Sequence, residues 1–133
     1  MSVITAIILA LQIALFTTES TGKAPSEWRE FEATAYTAFC DTGCIGITRT
    51  GYDVSHTQYQ DGYRVVAVDP DVVPLGTKMK IRLADGYEFA AVAADTGGNI
   101  KGARIDVLVA DEKRARQFGR QAVQIKINEE ETE

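Results

Sequence analysis

The stretch Lys78-Met79-Lys80-Ile81-Arg82-Leu83-Ala84-Asp85-Gly86-Tyr87-Glu88-Phe89-Ala90-Ala91-Val92-Ala93-Ala94-Asp95-Thr96-Gly97-Gly98 decides the fold class. Lys78 to Leu83 alternates strictly between charged and apolar residues, the period of a strand with one face in water. Ala84-Asp85-Gly86 is a hairpin turn signal. Tyr87 to Ala94 returns from it, and Phe89 to Ala94 is an unbroken apolar run that reads as a buried strand. A carboxylate, Asp95, closes that run and a Thr-Gly-Gly turn follows.

The same grammar recurs on both sides. Phe31 to Phe39 is rich in β-formers. Tyr63 to Val68 is Val-rich and ends at Asp69-Pro70, and Pro74-Leu75-Gly76 is a turn. Ile105 to Val109 and Ala122 to Ile127 bring the count to about six strands. One helix interrupts them: Asp111 can cap it, Ala115 and Phe118 can pack inward, and Gly119 ends it. Residues 52 to 63 read as a polar loop. Many short strands with one small helix imply a mainly β chain closed as a small barrel.

Two carboxylates, Asp95 and Asp106, lie eleven residues apart with three glycines and Lys101 between them. Asp106 sits inside the apolar run Ile105 to Val109. A carboxylate at or in a buried strand is costly unless something satisfies or uses it. The glycines Gly97 and Gly98 let a ligand approach the backbone. Each aspartate also has a plainer reading, as an Asx-turn residue or a solvent-facing strand residue. Their combination points to a cleft with acid/base chemistry.

A set of segments in a fixed order carries a more specific signal. It runs Ala33-Thr34-Ala35-Tyr36-Thr37, Arg49-Thr50-Gly51, Val66-Ala67-Val68-Asp69-Pro70 and Val73-Pro74-Leu75-Gly76-Thr77. It continues with Ala94 to Gly98, Ile100-Lys101-Gly102, Arg104 to Val107 and Phe118-Gly119-Arg120. In this order the chain resembles the 3D domain family, named for three aspartates. That family is similar to the stationary-phase survival proteins and to the catalytic barrel of the membrane-bound lytic transglycosylase A group. The resemblance covers residues 31 to 127 and implies a double-psi β-barrel. It also implies cleavage of the peptidoglycan glycan strand, with Asp69, Asp95 and Asp106 as the three aspartates.

Composition sets the frame. With 133 residues and 45% apolar content, one domain with tails is expected. The net charge is −5, but four acids fall in the last five residues, so the body is nearly neutral. No basic cluster suggests a nucleic-acid partner. Residues 2 to 16 form a nearly unbroken apolar run without charge, shorter than the roughly 20 residues of a membrane span. They suit a signal-peptide core or short anchor, read as a helix over residues 1–18. Residues 19–30 read as a linker and 128–133 as an acidic tail. The expected location is the wall side of the membrane, secreted or anchored by that first segment. The membrane is touched through that segment alone.

Cys40 and Cys44 are spaced to close a small disulfide loop in an exported protein. His56 is the one histidine, which leaves too few soft ligands for zinc, and no third residue is evident to orient a Cys–His pair, so no metal and no cofactor are expected. Trp28 reads as packing for the lead-in segment.

In the chemistry the resemblance implies, a single carboxyl protonates the glycosidic oxygen between N-acetylmuramic acid and N-acetylglucosamine. It then takes the proton of the muramyl C6 hydroxyl, leaving a 1,6-anhydro end. Asp106 is the leading candidate, because an apolar run favours its protonated form. Asp95 would raise that pKa or support the oxocarbenium charge, and Lys101 would pair with Asp95. Asp69 has a structural reading of equal weight. Tyr36, Thr50, Gly51, Gly97, Gly98 and Lys101 are the candidate substrate contacts. Two other readings remain: a barrel that binds wall polysaccharide without cutting it, and a metal-dependent hydrolase, which no histidine beside the carboxylates supports. Peptidoglycan strands are the expected partner, with other wall machinery beside them.

Overall fold

In the computed structural model, which describes residues 27–39 and 44–128, the hairpin is formed as its alternation dictates. Strand β4 is Lys78–Arg82 and strand β5 is Glu88–Asp95. They pair antiparallel, with Met79 opposite Ala91 and Ile81 opposite Phe89. The connection is tight: Leu83 and Tyr87 are joined by a backbone hydrogen bond of 2.8 Å, and Gly86 takes φ +94°. A left-handed glycine at this place is what a three-residue hairpin loop needs. On β4 Met79 and Ile81 are fully buried while Lys80 is exposed.

Five further strands complete the sheet: β1 (Arg29–Tyr36), β2 (Tyr59–Gln60), β3 (Tyr63–Ala67), β6 (Arg104–Leu108) and β7 (Gln121–Ile127). The order is β2-β3-β5-β4-β7-β1-β6, and β6 also pairs with β3. That last pairing closes six strands into a ring, with β2 as a short flap outside it. Two neighbours in the ring are parallel, β1 with β6 and β3 with β5; the other four pairs are antiparallel. Exchanging β1 with β5, β3 with β6 and β4 with β7 leaves both the ring order and the strand directions unchanged. The barrel is therefore built of two interlocked halves of like connectivity, the double-psi arrangement.

Inward residues follow the pleat: Ala33 on β1, Val66 on β3, Met79 and Ile81 on β4, Ala91 and Ala93 on β5, Ile105 and Val107 on β6, Val123 and Ile125 on β7. Full burial of each large aliphatic side chain contributes about 1.5–3 kcal/mol. A second cluster lies on the outer face, where Val65, Val92, Ala94 and Leu108 meet Val54, with Tyr36, Tyr52 and Tyr63 at its edge. It holds the segment after Cys44 against the barrel wall. That segment crosses itself at Gly46, which receives Val54 N–H at 2.8 Å and donates to Ala38 at 2.9 Å. A Cβ on Gly46 would meet Ser55 Oγ at 2.8 Å, at a φ of +83°. No larger residue fits this crossing.

The helix α1 is Glu112–Phe118, capped by Asp111, whose side chain accepts from Arg114 N, and ended by Gly119 at φ +63°. Ala115 and Phe118 pack on the barrel core.

Two expectations shift. Strand β1 begins at Arg29, inside the expected linker, because Arg29 and Glu30 pair with Ile125 and Gln124 of β7. The expected loop over residues 52 to 63 contains a hairpin. Asp61 and Gly62 both take positive φ, 54° and 87°, and turn β2 back onto β3. Trp28 packs beneath the Arg82 guanidinium, 3.9 Å from its ring centroid. The first segment (residues 1–18), most of the linker, Cys40 and residues 129–133 lie outside the described residues. No helix among the described residues is long and apolar enough to cross a membrane.

Candidate active site

Strand register brings Asp95 and Asp106 together. Ala67 of β3 is the partner of Asp106 on one side and of Asp95 on the other. A register shift between Val66 and Ala67 sets Asp95 into this row. The parallel pair β1–β6 extends it by one more residue, placing Thr34 beside Asp106. The row Thr34–Asp106–Ala67–Asp95 thus runs across four strands, with strand spacings of about 4.8 Å. Asp106, Ala67 and Asp95 of this row line a cleft of about 630 Å³ on the barrel's outer wall. The segment after Cys44 makes one lip; Thr96, Gly97, Gly98 and Asn99 make the other.

The two carboxylates are dressed differently. Asp95 accepts three hydrogen bonds: Tyr36 Oη donates to Oδ2 at 2.8 Å, Arg49 N to Oδ1 at 2.9 Å and Thr96 N to Oδ1 at 3.0 Å. Asp106 has a single hydrogen bond among the described residues, from Thr34 Oγ1 to its Oδ1 at 2.9 Å. Burial pushes the Asp106 carboxyl above the ordinary carboxylate value. The Thr34 hydrogen bond and the Arg104 charge pull against that rise, and the Asp95 charge adds to it. The Tyr36 phenol is driven far up, first by burial and then by Asp95. It therefore stays a neutral donor at any working pH.

Asp69 stands apart from this cleft. Its carboxylate accepts Gly102 N at 2.8 Å through Oδ2 and Asp71 N at 3.0 Å through Oδ1. Its carbonyl receives the N–H groups of Val72 and Val73. The Gly102 and Asp71 amides, in that order, hold its carboxyl below the ordinary value, with the Lys101 charge a smaller contribution. Asp69 is 9% exposed and ties the turn after β3 to the loop before β6. Its structural reading is the one the geometry matches.

The other expected contacts divide. Tyr36, Gly97 and Gly98 line the cleft. Tyr36 serves as a hydrogen-bond donor to Asp95 instead of an open stacking platform. Thr50 and Gly51 do not line it. Thr50 docks its turn on β5 by giving its N–H (3.2 Å) and hydroxyl (3.1 Å) to the Ala94 carbonyl, while Gly51 is exposed at φ +89°. Their neighbours Thr48 and Arg49 face the cleft in their place. Lys101 makes no ion pair with Asp95; it is exposed and its charge acts on Asp69. Its neighbour Gly102, at φ +70°, gives its N–H to Asp69, which brings this loop to the Asp69 side. Cys44 is disulfide-bonded and lines the cleft; Cys40 is the only other cysteine in the chain. His56 lies in an adjoining hollow of about 490 Å³ that shares Thr37, Ala38, Val54 and Glu112 with the cleft.

Thr34, Arg49 and Arg104 are site residues that sequence reasoning did not single out. Thr34 and Arg104 flank the conspicuous residues in segments with a strand period, and their shared outer face with Tyr36 and Asp106 was the available signal.

Residues 64–129 match the family model described as the 3D domain. The chain carries a 3D domain. The match begins at β3 and includes Asp69, Asp95 and Asp106, while β1 of the barrel lies before it. Among curated proteins of Bacillus subtilis (strain 168), the chain is 50% identical over 107 residues to the SPbeta prophage-derived uncharacterized protein YorM. That alignment covers 80% of this chain and 44% of YorM. It is 45% identical over 95 residues to the cell wall-binding protein YocH, covering 71% of this chain and 30% of that protein. The chain thus spans less than half the length of these relatives. A solved structure of the E. coli lytic transglycosylase MltA aligns with 61% of this chain and 26% of its own, at 17% identity and a TM-score of 0.49. That likeness is too distant to bear on activity, and the 3D-domain barrel is assigned from its own strand order.

Proposed function

We propose that the 3D domain of this chain is a peptidoglycan lytic transglycosylase, working outside the membrane, with Asp106 as its one acid/base. The observation that carries the reading is the unlike dress of two carboxylates in one row. Asp95 has both oxygens committed as acceptors, whereas Asp106 is partly buried, raised in pKa and has Oδ2 without a hydrogen-bond partner among the described residues. Paired carboxyl groups held in unlike environments are how one site keeps an acid beside an anion.

The proton ledger closes on Asp106 alone. Its proton passes to the glycosidic oxygen as the muramyl C1–O bond breaks. The developing oxocarbenium charge at C1 faces the cleft's carboxylates. The muramyl C6 hydroxyl attacks C1, and its proton returns to Asp106. No water is consumed, and attack within one ring supplies a high effective concentration. Asp95, held by Tyr36, Arg49 and Thr96, serves as the fixed second carboxyl group. Gly97 and Gly98 leave room for the strand beside the lip.

A second reading, a barrel that binds wall glycan without cutting it, is favoured by one observation: the likeness to YocH, named for wall binding. Mass spectrometry of soluble products from purified peptidoglycan separates the two. Products lacking one water, with 1,6-anhydro ends that resist borohydride, are expected from the native chain and not from Asp106→Asn. Reducing ends would mean a hydrolase. Folded protein bound to the wall without products would mean the binding module.

A further inference from the structure

One cation in the cleft is unaccounted for by this chemistry. Arg104 opens β6 and shares its outer face with Asp106, two residues on. Its Nη1 donates to the Asn99 carbonyl at 3.2 Å, but its Nε is buried without a hydrogen-bond partner among the described residues. The acid nearest in register, Glu32, is the β1 partner of Arg104, yet it is engaged by Arg120 at 2.9 Å. Asp95 accepts from Tyr36, Arg49 and Thr96, none of these bonds coming from Arg104, and no hydrogen bond joins Arg104 to Asp106. A guanidinium donor kept from water and left unpaired is a standing cost that an incoming anion would remove.

We infer that Arg104 is a binding residue for a carboxylate of the muramyl unit, on the substrate strand that the proposed reaction cleaves. This inference rests on that reaction for its substrate class. Three features point to it. The planar fork of a guanidinium suits a carboxylate in two-point contact. Two residues along a strand advance about 6.6–6.8 Å, a span comparable with that from the C1 oxygen of a pyranose to an acid carried on C3. With the C1 oxygen at Asp106, the lactyl ether on C3 of the same ring is carried toward Arg104. The ligand charge also meets a guanidinium that has no ion pair among the described residues. Muramyl carboxylates come from two sources, the lactyl group of a peptide-free strand or the stem peptide of a substituted one.

Three strand preparations distinguish the sources: peptide-free glycan, the same glycan with its lactyl carboxyls converted to methylamides, and glycan bearing stem peptides. Dissociation constants are measured in the Asp106→Asn background, and KM and kcat in the native chain. Conversion to methylamides is expected to weaken binding about tenfold or more where Arg104 is present. Arg104→Gln should bind peptide-free glycan and its methylamide alike, and Arg104→Lys should restore part of the difference. Loss of the Arg104 charge also bears on the Asp106 proton, but that effect is common to all strands and cancels in the comparison. An Arg104 effect confined to peptide-bearing strands supports the guanidinium role with a stem carboxylate as ligand. Equal weakening on all three strands, or on none, overturns the inference. Absence of anhydro ends from the native chain would overturn the proposed reaction instead, while the dissociation constants would still report on Arg104.

Discussion

Asp69 and Asp106 look alike in sequence, each an aspartate after a Val or Ile in an apolar run, and the barrel treats them in opposite ways. At the turn after β3, two backbone amides grip Asp69 and pull its pKa down. In the cleft, burial outweighs one threonine hydroxyl and one arginine charge, and the pKa of Asp106 goes up. A carboxylate given several donors is a structural staple; one given few, in a partly dry place, is a proton donor. The sign of the shift, more than the residue type, separates the two regions.

The largest effect that tests this contrast is on cleavage. Asp106→Asn should lower kcat by at least about a thousandfold, within the range of a lost general acid. Its melting temperature near neutral pH should match or exceed that of the native chain, because the amide removes a partly buried charge. Residual cleavage near the native rate would move the acid elsewhere.

Asp69→Asn should do the reverse. Its amide cannot accept through both side-chain atoms, so the turn loosens and the melting temperature falls, while folded protein keeps its cleavage chemistry. The pH dependence of stability carries opposite signs at the two sites. Asp69 has a lowered folded pKa, so its contribution is full above the ordinary carboxylate value and is lost as pH falls through the folded value. Asp106 has a raised folded pKa, so stability declines as pH rises from the ordinary value through the folded one. Thermal melts over an acid series should show each slope disappear in the matching Asn variant. A slope that survives its own substitution would refute the assignment.

A smaller effect is expected at Tyr36. Tyr36→Phe removes the donor to Asp95 Oδ2 and leaves the ring in place, and should cut kcat about tenfold with little change in KM. An unchanged kcat would mean that the orientation of Asp95 does not matter to the reaction.

The smallest effect should be at Thr34. Thr34→Val keeps the shape and deletes the hydrogen bond that restrains the Asp106 pKa. The alkaline fall of kcat/KM, where Asp106 loses its proton, should move up by about one pH unit or less. Thr34→Ser should restore it. A profile that does not move would show that Thr34 only packs.

Local sequence carried much of this. The alternation of Lys78 to Leu83, the turn at Asp85-Gly86 and the cap at Asp111 each act over a few residues, and each formed where the residues predicted. The hairpin at Asp61-Gly62 was also legible, since an Asp-Gly pair is a two-residue turn signal. It was hidden by the polarity of its surroundings. Lys101 shows the limit. Lying between Asp95 and Asp106 in the chain, it pointed to a partnership with Asp95, but its loop is tied to Asp69 through the Gly102 N–H. Thr50 and Gly51 likewise mark the right turn, while Thr48 and Arg49 on the same turn reach the cleft.

By itself the sequence determined six of the seven strands, the alternation of β4 and the helix with its ends, because period, turn chemistry and capping are local. Tertiary structure alone decided which aspartate is gripped by backbone amides and which is partly buried with one hydrogen bond. It also decided that the Nε of Arg104 is buried without a hydrogen-bond partner among the described residues. These depend on a bulge at Val66, on the pairing of β3 with β6 that closes the ring, and on donors arriving from strands tens of residues away, none of which a local pattern encodes.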